Sequence, residues 1–530
     1  MFCSNCGGQA PDGAKVCPSC GTPIAGGAPK AAVASSAQEV KTQAAEFVGG
    51  SVNSAAEAVK TRDFKSLLKN KLVIAAAALI VVVALVVVFL IVLGSSSSAP
   101  FAIASNQIDW FYTEDYTTVL FYNGKQIKTE LDSTNVSIYS NNDKSSVYVS
   151  ADGTLYALSG EKLNEVNDDC SVLTVAGFGS SIFYISDDTL YVSDGGKPTR
   201  ISDLERTPNS YSASPDGSAF AWTVYEDDEY VGYAWTGSKV TDLGEMNRVL
   251  SITNGGDLIY CETDSGKLGY IKGMSDEIES VKSLSGVAAL SADNRQIMFV
   301  SSSSTFVFAP SMEEPVKVDK GSVSILLPEN GYYTSNNFDN FVGISSSTIK
   351  RYTRKGDEYP DNIKLASNCY TALISADGKN ILYYTNNKMV KRDTVTEDGD
   401  KITVAKDVYD FAADANFNNI YYINGDYELV YSNGKENGMT TVYDNDNVSG
   451  MALSTSGVCA FIYDRSGGEG SVAYSANGGD KQKCSGVSAL DTFSTGTLSA
   501  QKYIYAVNAD DELYISTDGK SFTNTKVVLY

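Results

Sequence analysis

Beyond residue 100 the chain alternates short β-branched and aromatic runs with Asp-Gly, Asn-Gly and Ser-rich turns, a pattern of strands joined by tight hairpins. One phrase recurs, a small polar turn followed by a run with one or two aromatics. Its copies are NQIDWFYT, KSSVYVS, GSSIFYIS, DGSAFAWT, GDLIYCE, RQIMFVS, NGYYTS, GKNILYYT, NNIYYIN, GVCAFIY and QKYIYAV. One aromatic is taken from each: Phe111, Tyr148, Phe183, Phe220, Tyr260, Phe299, Tyr333, Tyr383, Tyr421, Phe461 and Tyr505. The intervals are 37, 35, 37, 40, 39, 34, 50, 38, 40 and 44 residues. A period near 39, with several strands per unit, is the spacing of four-stranded propeller blades.

Within units a second strand often follows, as in TLYALSG, TLYVSDGG and KLGYIKG, and a polar third strand closes the unit, as in KLNEV or KPTRIS. A single twisted sheet of this size cannot bury both faces, so neighbours must pack face to face around an axis. Tyrosine suits such packing because its ring can be buried while its hydroxyl reaches the rim. The expected fold is therefore mainly β, with a β-propeller of about eleven blade-like units over residues 101–530. Eleven exceeds the usual four to eight blades of one ring, so either the chain makes two rings, the reading favoured here, or some of the units are hairpins counted as blades. The longest interval contains RYTRKGDEYPDN and sets the predicted ring boundary near 350–365.

A different pattern precedes the strands. LVIAAAALIVVVALVVVFLIVL, residues 72–93, has no polar side-chain atom. As a helix it would rise about 33 Å, enough to span a hydrocarbon core of about 30 Å. Seventeen of its 22 residues are Leu, Ile, Val or Phe, for an insertion gain on the order of 5–10 kcal/mol. Residues 71–94 are thus predicted to form one transmembrane helix. Lys65, Lys69 and Lys71 precede it, and no Lys or Arg follows until Lys125. The positive-inside rule then places the N-terminus in the cytoplasm and the C-terminal domain outside. A cleaved signal peptide fits poorly, because the run begins late and is long for an h-region.

The first twenty-one residues, MFCSNCGGQAPDGAKVCPSCG, hold Cys3, Cys6, Cys17 and Cys20 in two C-x-x-C pairs. Each pair can grip one metal ion from both sides of a tight knuckle, and Gly7 and Gly21 ease the turns. Four thiolates satisfy tetrahedral Zn²⁺ and leave no open position, so one structural rather than catalytic Zn²⁺ is expected. A reducing cytoplasm keeps such thiols available for metal. Residues 26–70 are rich in Ala, Gly and Ser and read as a flexible tether; residues 95–100 form a short linker before the propeller.

Charge and composition narrow the chemistry. Residues 101–530 carry 33 basic and 59 acidic side chains, a net of −26, which disfavours nucleic acid as a partner. The chain has no histidine, so no Ser-His-Asp or Cys-His system can be assembled. A propeller peptidase would need a G-x-S-x-G motif and a histidine, and neither is present. No catalytic or cofactor-binding residue is assigned. The Asp-Gly pairs are expected to be hairpin turns rather than calcium loops, with Asp444–Asn447 the nearest approach to a calcium pattern. Cys459 and Cys484 fall in one repeat unit and could pair.

Two resemblances follow from these residues. Met1, Cys3, Cys6, Gly7, Ala14, Cys17, Cys20 and Gly21, closed by Pro23–Ile24, resemble the short zinc ribbons at the N-termini of many bacterial membrane proteins. That resemblance covers residues 1–25 and implies zinc binding within an interaction or regulatory module. SPDGSAFAW and SADGKNILYY resemble the WD40-like and TolB-type propeller repeats of bacterial envelope proteins. The matches are Ser214, Asp216 and Gly217, then Ser375, Asp377 and Gly378, with a worn copy at Ser291–Asp293. It speaks to fold far more than to function. The expectation is a plasma-membrane binding protein and not an enzyme. Its propeller would meet a protein or cell-wall glycan outside, and its ribbon would dock a cytoplasmic protein partner. The alternative is a membrane-tethered, carboxylate-dependent glycan hydrolase or lyase.

Overall fold

The computed structural model describes residues 99–530 except 130, 361, 370, 387, 395–398, 400, 446 and 495–497. The four N-terminal cysteines, the tether and the apolar run 72–93 lie outside the described residues. Among the described residues no helix is long and apolar enough to cross a membrane.

Eleven antiparallel sheets follow one another along the chain. They are blades 1 to 11, at 108–126, 136–167, 170–203, 210–245, 248–283, 286–320, 324–367, 371–406, 408–443, 448–483 and 492–528. Blades 2 to 11 have four strands along their main path. Their first strands sit innermost, where those of neighbouring blades touch. The recurring aromatic phrase forms the second strand. Val147–Ala151, Ile182–Ser186 and Ile420–Asn424 are buried on both faces, because each is sandwiched between two neighbouring blades. Fourth strands such as Lys162–Asn167 and Thr199–Asp203 lie at the rim and are largely exposed, which explains their polar sequences.

Eleven hydrophobic clusters hold the blades together, and each joins two consecutive blades. Between blades 3 and 4, Phe183 stacks on Phe220 at 4.4 Å. Between blades 9 and 10, Tyr421 and Phe461 share one cluster. The closing cluster packs Tyr505, Val507 and Leu513 of blade 11 against Val119 and Phe121 of blade 1. The blades therefore form one closed circuit.

A strap crosses that circuit. Phe101–Ile103 pairs antiparallel with Gly331–Tyr333, which lies in the long loop between the first two strands of blade 7. Phe101 is buried among residues of blades 7 and 8, and the Asn106 amide donates to the Asp143 carbonyl of blade 2 at 3.0 Å. The strap thus runs from the 7/8 joint to the 1/2 joint. It leaves six blades (2 to 7) on one side and five (8 to 11 and 1) on the other. Tyr332 meets Phe178 of blade 3 edge-to-face at 5.8 Å, and the Ser335 carbonyl accepts from the Ala292 N–H of blade 6. On the five-blade side, the corresponding long loop of blade 11 pairs Ser499 with Ala413 and Gln501 with Ser454.

Three expectations are corrected here. The division into two rings takes the form of one circuit crossed by a strap. Tyr333 belongs to the strap; the aromatic of blade 7 is Phe341, and the intervals from Phe299 to Phe341 and from Phe341 to Tyr383 are both 42 residues. The long interval thus arose from one misplaced aromatic, and RYTRKGDEYPDN connects the third and fourth strands of blade 7. Residues 350–365 therefore lie inside one blade. Cys459 and Cys484 are both free and point to opposite faces of blade 10, one into the cluster shared with blade 9 and the other into that shared with blade 11.

Candidate functional site

Blade 1 departs from the other ten. It has three strands, Ile108–Tyr112, Thr118–Tyr122 and Lys125–Gln126. Its first turn is set by Thr113 N–H donating to the Thr117 carbonyl. The same four-residue closure joins the second and third strands of blades 5, 9 and 11, from Thr263 to Lys267, Asn424 to Glu428 and Asn508 to Glu512. Counting back from these turns, Trp110 stands where blades 5, 9 and 11 have Tyr260, Tyr421 and Tyr505. Those three rings are 0 % exposed, whereas Trp110 is 47 % exposed. One place earlier, Asp109 stands where the others have the fully buried Ile259, Ile420 and Ile504.

The cause is the innermost position. In blades 3, 5 and 6 the residue after the fourth strand donates to the second turn of its own blade before the chain enters the next one, as Leu204 N–H does to Asp188, Leu284 N–H to Gly266 and Gly321 N–H to Ser303. Leu529 N–H makes the same bond to Asp511 at 2.8 Å. Leu529 then bridges Thr113, and Tyr530 N–H donates to the Tyr112 carbonyl at 3.1 Å. These two residues begin the inner strand of blade 1. Among the described residues none pairs with the edge further along. Hydrogen bonds from Thr113 and to Gln107 direct the odd-numbered residues toward the second strand of the blade. By antiparallel alternation the N–H and C=O groups of Ile108 and Trp110 face the open inner edge. Tyr112, Tyr116 and Tyr530 are exposed beside it, with the Tyr116 and Tyr530 rings 5.1 Å apart.

At its far end the open edge meets a cavity of about 470 Å³ beneath the strap, lined by Ile108, Asp109, Lys144, Glu329, Gln501 and Lys502 among others. The size falls within the range of roughly 300–1,000 Å³ typical of ligand pockets. Burial pushes the Asp109 carboxyl up to about 6; the Gln107 amide at 2.9 Å, the Tyr505 hydroxyl and Lys144 pull in the other direction. The Tyr505 hydroxyl lies beside that carboxylate, outside hydrogen-bonding geometry. One oxygen of Glu329 is buried with no hydrogen-bond partner, and Lys144 Nζ donates to Asn330 Oδ1 at 3.3 Å. Asp414 is spent on its own turn, accepting the N–H groups of Asn416, Asn418 and Asn419.

The motifs singled out in the sequence lie elsewhere and serve the fold. Ser214, Ser291 and Ser375 each donate to the aspartate two residues on, at 3.0, 2.8 and 2.7 Å. Those aspartates accept the N–H groups of Ser218, Arg295 and Lys379, so each phrase closes a turn between first and second strands. Gly217 holds a left-handed φ of 78° there, and a Cβ on it would meet Ser181 Oγ at 2.4 Å. Tyr225–Tyr233 spans the hairpin joining the second and third strands of blade 4, where Tyr225 and Tyr230 lie 5.0 Å apart. Tyr427 pairs with Tyr409 at 5.3 Å, and both are exposed. Among the described residues there is no group of three or more Cys, Asp or Glu placed to hold a metal. Sequence reasoning missed Asp109 and Trp110. The available signal was a carboxylate in the middle of NQIDWFYT, where most sister phrases have an apolar residue such as Ile, Leu or Ala.

Comparison with known proteins supports one part of this chain, its N-terminus. A model of the zinc-ribbon domain matches residues 2–24, the stretch that contains Cys3, Cys6, Cys17 and Cys20. No curated protein matches. Among solved structures, the crystal structure of the tricorn protease is similar at 11% identity, with a TM-score of 0.27. The match covers 80% of this chain and 53% of that one, so the chain spans about half its length. The chain thus carries a zinc-ribbon domain at its N-terminus and an eleven-bladed β-propeller after it.

Proposed function

We propose that the protein is a single-pass, membrane-anchored binding and scaffold protein. The apolar run 72–93 anchors it, the ribbon faces the cytoplasm and docks a protein partner, and the propeller faces outward and recognises an envelope protein or wall glycan. One observation carries the binding reading: among the described residues blade 1 has three strands where the other blades have four, and it exposes Trp110 at a position buried in blades 5, 9 and 11. Cys3, Cys6, Cys17 and Cys20 supply a donor set that suits one Zn²⁺, which would fold a tail too short for a hydrophobic core of its own. The orientation rests on the lysines before the run and their scarcity after it.

A pull-down from solubilised membranes tests this, using the intact protein and a variant with all four cysteines changed to Ser. Partners held by the intact protein and lost from the variant make the ribbon a docking module; identical partner lists remove that role. Protease added to intact cells should degrade the propeller and spare the ribbon, and the reverse result overturns the topology. The second reading, a carboxylate-dependent glycan hydrolase or lyase, draws on Asp109 and Glu329, which line one cavity. Release of reducing ends from purified wall by the protein would establish it, and saturable binding without turnover would end it.

A further inference from the structure

We infer that the inner edge of blade 1, unpaired beyond Leu529 and Tyr530 among the described residues, is a β-strand-addition site, which takes an extended peptide segment of a partner protein antiparallel to Ile108–Tyr112. The inference deepens the binding reading above and rests on it. Ile108 and Trp110 present main-chain donors and acceptors to the edge, and edges of this kind pair readily with another strand. Leu529 and Tyr530 occupy the first two places and fix direction and register. An incoming segment lies opposite Phe111, Trp110, Asp109 and Ile108. Beyond Ile108 and Asp109 it reaches the cavity beneath the strap.

The chemistry of the occupant can be read from the ten blades in which the same place is filled. Their inner strands include Ser210–Ala213, Gly286–Leu290 and Thr371–Ile374, which consist mainly of small and branched residues. Across all ten there are only two charged residues, Arg248 and Asp410. A segment of this kind would cover Trp110 on one face of the blade. Charge sets the flanks. Asp109 lies within the edge, Glu114 and Asp115 lie just past it, and the domain has 59 acidic against 33 basic side chains. The partner segment is therefore uncharged at its centre and carries lysine or arginine at its ends.

The test uses the full chain and a fluorescein-labelled synthetic peptide carrying the Thr-Ala-Leu-Ile sequence of blade 8 between lysine pairs. Anisotropy should report saturable binding. Acrylamide quenching of tryptophan should fall as the peptide binds, because Trp222 and Trp235 are already buried. N-methylation of alternate peptide residues discriminates strand addition. In one phase it should weaken binding about tenfold or more, the equivalent of a lost main-chain hydrogen bond or two, and in the other phase it should leave binding intact. Trp110→Ala should weaken binding through the side chain, and Trp110→Pro should weaken it further by removing a donor at the open edge. Equal binding of both methylated phases overturns the inference. So does a Trp110 already shielded in the free protein, or protection of Trp110 by wall glycan fragments but not by peptide. If the peptide fails while the intact protein still captures partners from membranes, the edge is excluded and the binding role stands. If both fail, both readings fall.

Discussion

Tyr505 and Trp110 occupy the same register in neighbouring blades, and one is fully buried while the other is half exposed. Tyr505 lies within a four-stranded blade and packs against Phe111 and Phe121 at 5.1 and 5.3 Å. Trp110 has the same position relative to its turn, but among the described residues its inner edge is covered only at the end, by Leu529 and Tyr530. Burial of the repeated aromatic is therefore set less by its own sequence than by the completeness of the blade. The repeat makes ten blades structural and leaves one chemically distinct.

Mutations can break this comparison or sharpen it. Tyr505→Ala should cost about 3–5 kcal/mol, the usual range for truncating a buried aromatic, whereas Trp110→Ala should cost under about 1 kcal/mol. Chemical denaturation of the two variants measures the gap, and equal losses would erase the distinction. Next in size is Phe101→Ala, which removes the ring that pins the strap between blades 7 and 8. We expect a loss of about 3 kcal/mol, with hydrogen exchange at Phe101–Ile103 and Gly331–Tyr333 accelerated before exchange in blades 2 to 6.

Asp109 gives a pH signature that Ile504, its counterpart in blade 11, cannot give. The carboxyl is raised from 3.8 to about 6 in the fold, so folding favours its protonated form. Its contribution is fully present below about pH 4 and is lost as pH rises through 6. Asp109→Asn should flatten that decline and leave the protein on the order of 2 kcal/mol more stable than wild type at pH 7. Parallel melting curves at pH 4 and pH 7 decide the point, and an unchanged slope would remove Asp109 as its source. Tyr530→Ala should have the smallest effect, under about 1 kcal/mol, because the ring is 77 % exposed. Its main-chain bond to Tyr112 survives the change.

The parts of the fold that the sequence disclosed were those with a strong local pattern. Second strands such as Ile420–Asn424 announce themselves because both faces are buried and aromatic. Inner strands such as Ser210–Ala213 pass unnoticed, since they are partly exposed and carry small residues with little apolar alternation. Tyr333 misled the count because a strap residue that pairs across the molecule has the same local look as a blade strand. The site was less legible still. The exposure of Trp110 depends on where residues 529 and 530 come to rest, more than 400 residues along the chain, and no local pattern encodes that. The zinc-ribbon spacing is the opposite case: ligand identity and separation lie within about twenty residues, and the pattern is complete there.

The strap also governs how the propeller meets tension. A pull on the chain ahead of residue 99 reaches Phe101–Ile103 and its pairing with Gly331–Tyr333 before it reaches any blade strand. The load then passes into the long loop of blade 7, and the open edge of blade 1 lies downstream of the strap. Force entering ahead of residue 99 would therefore meet the 7/8 joint before it reached Trp110.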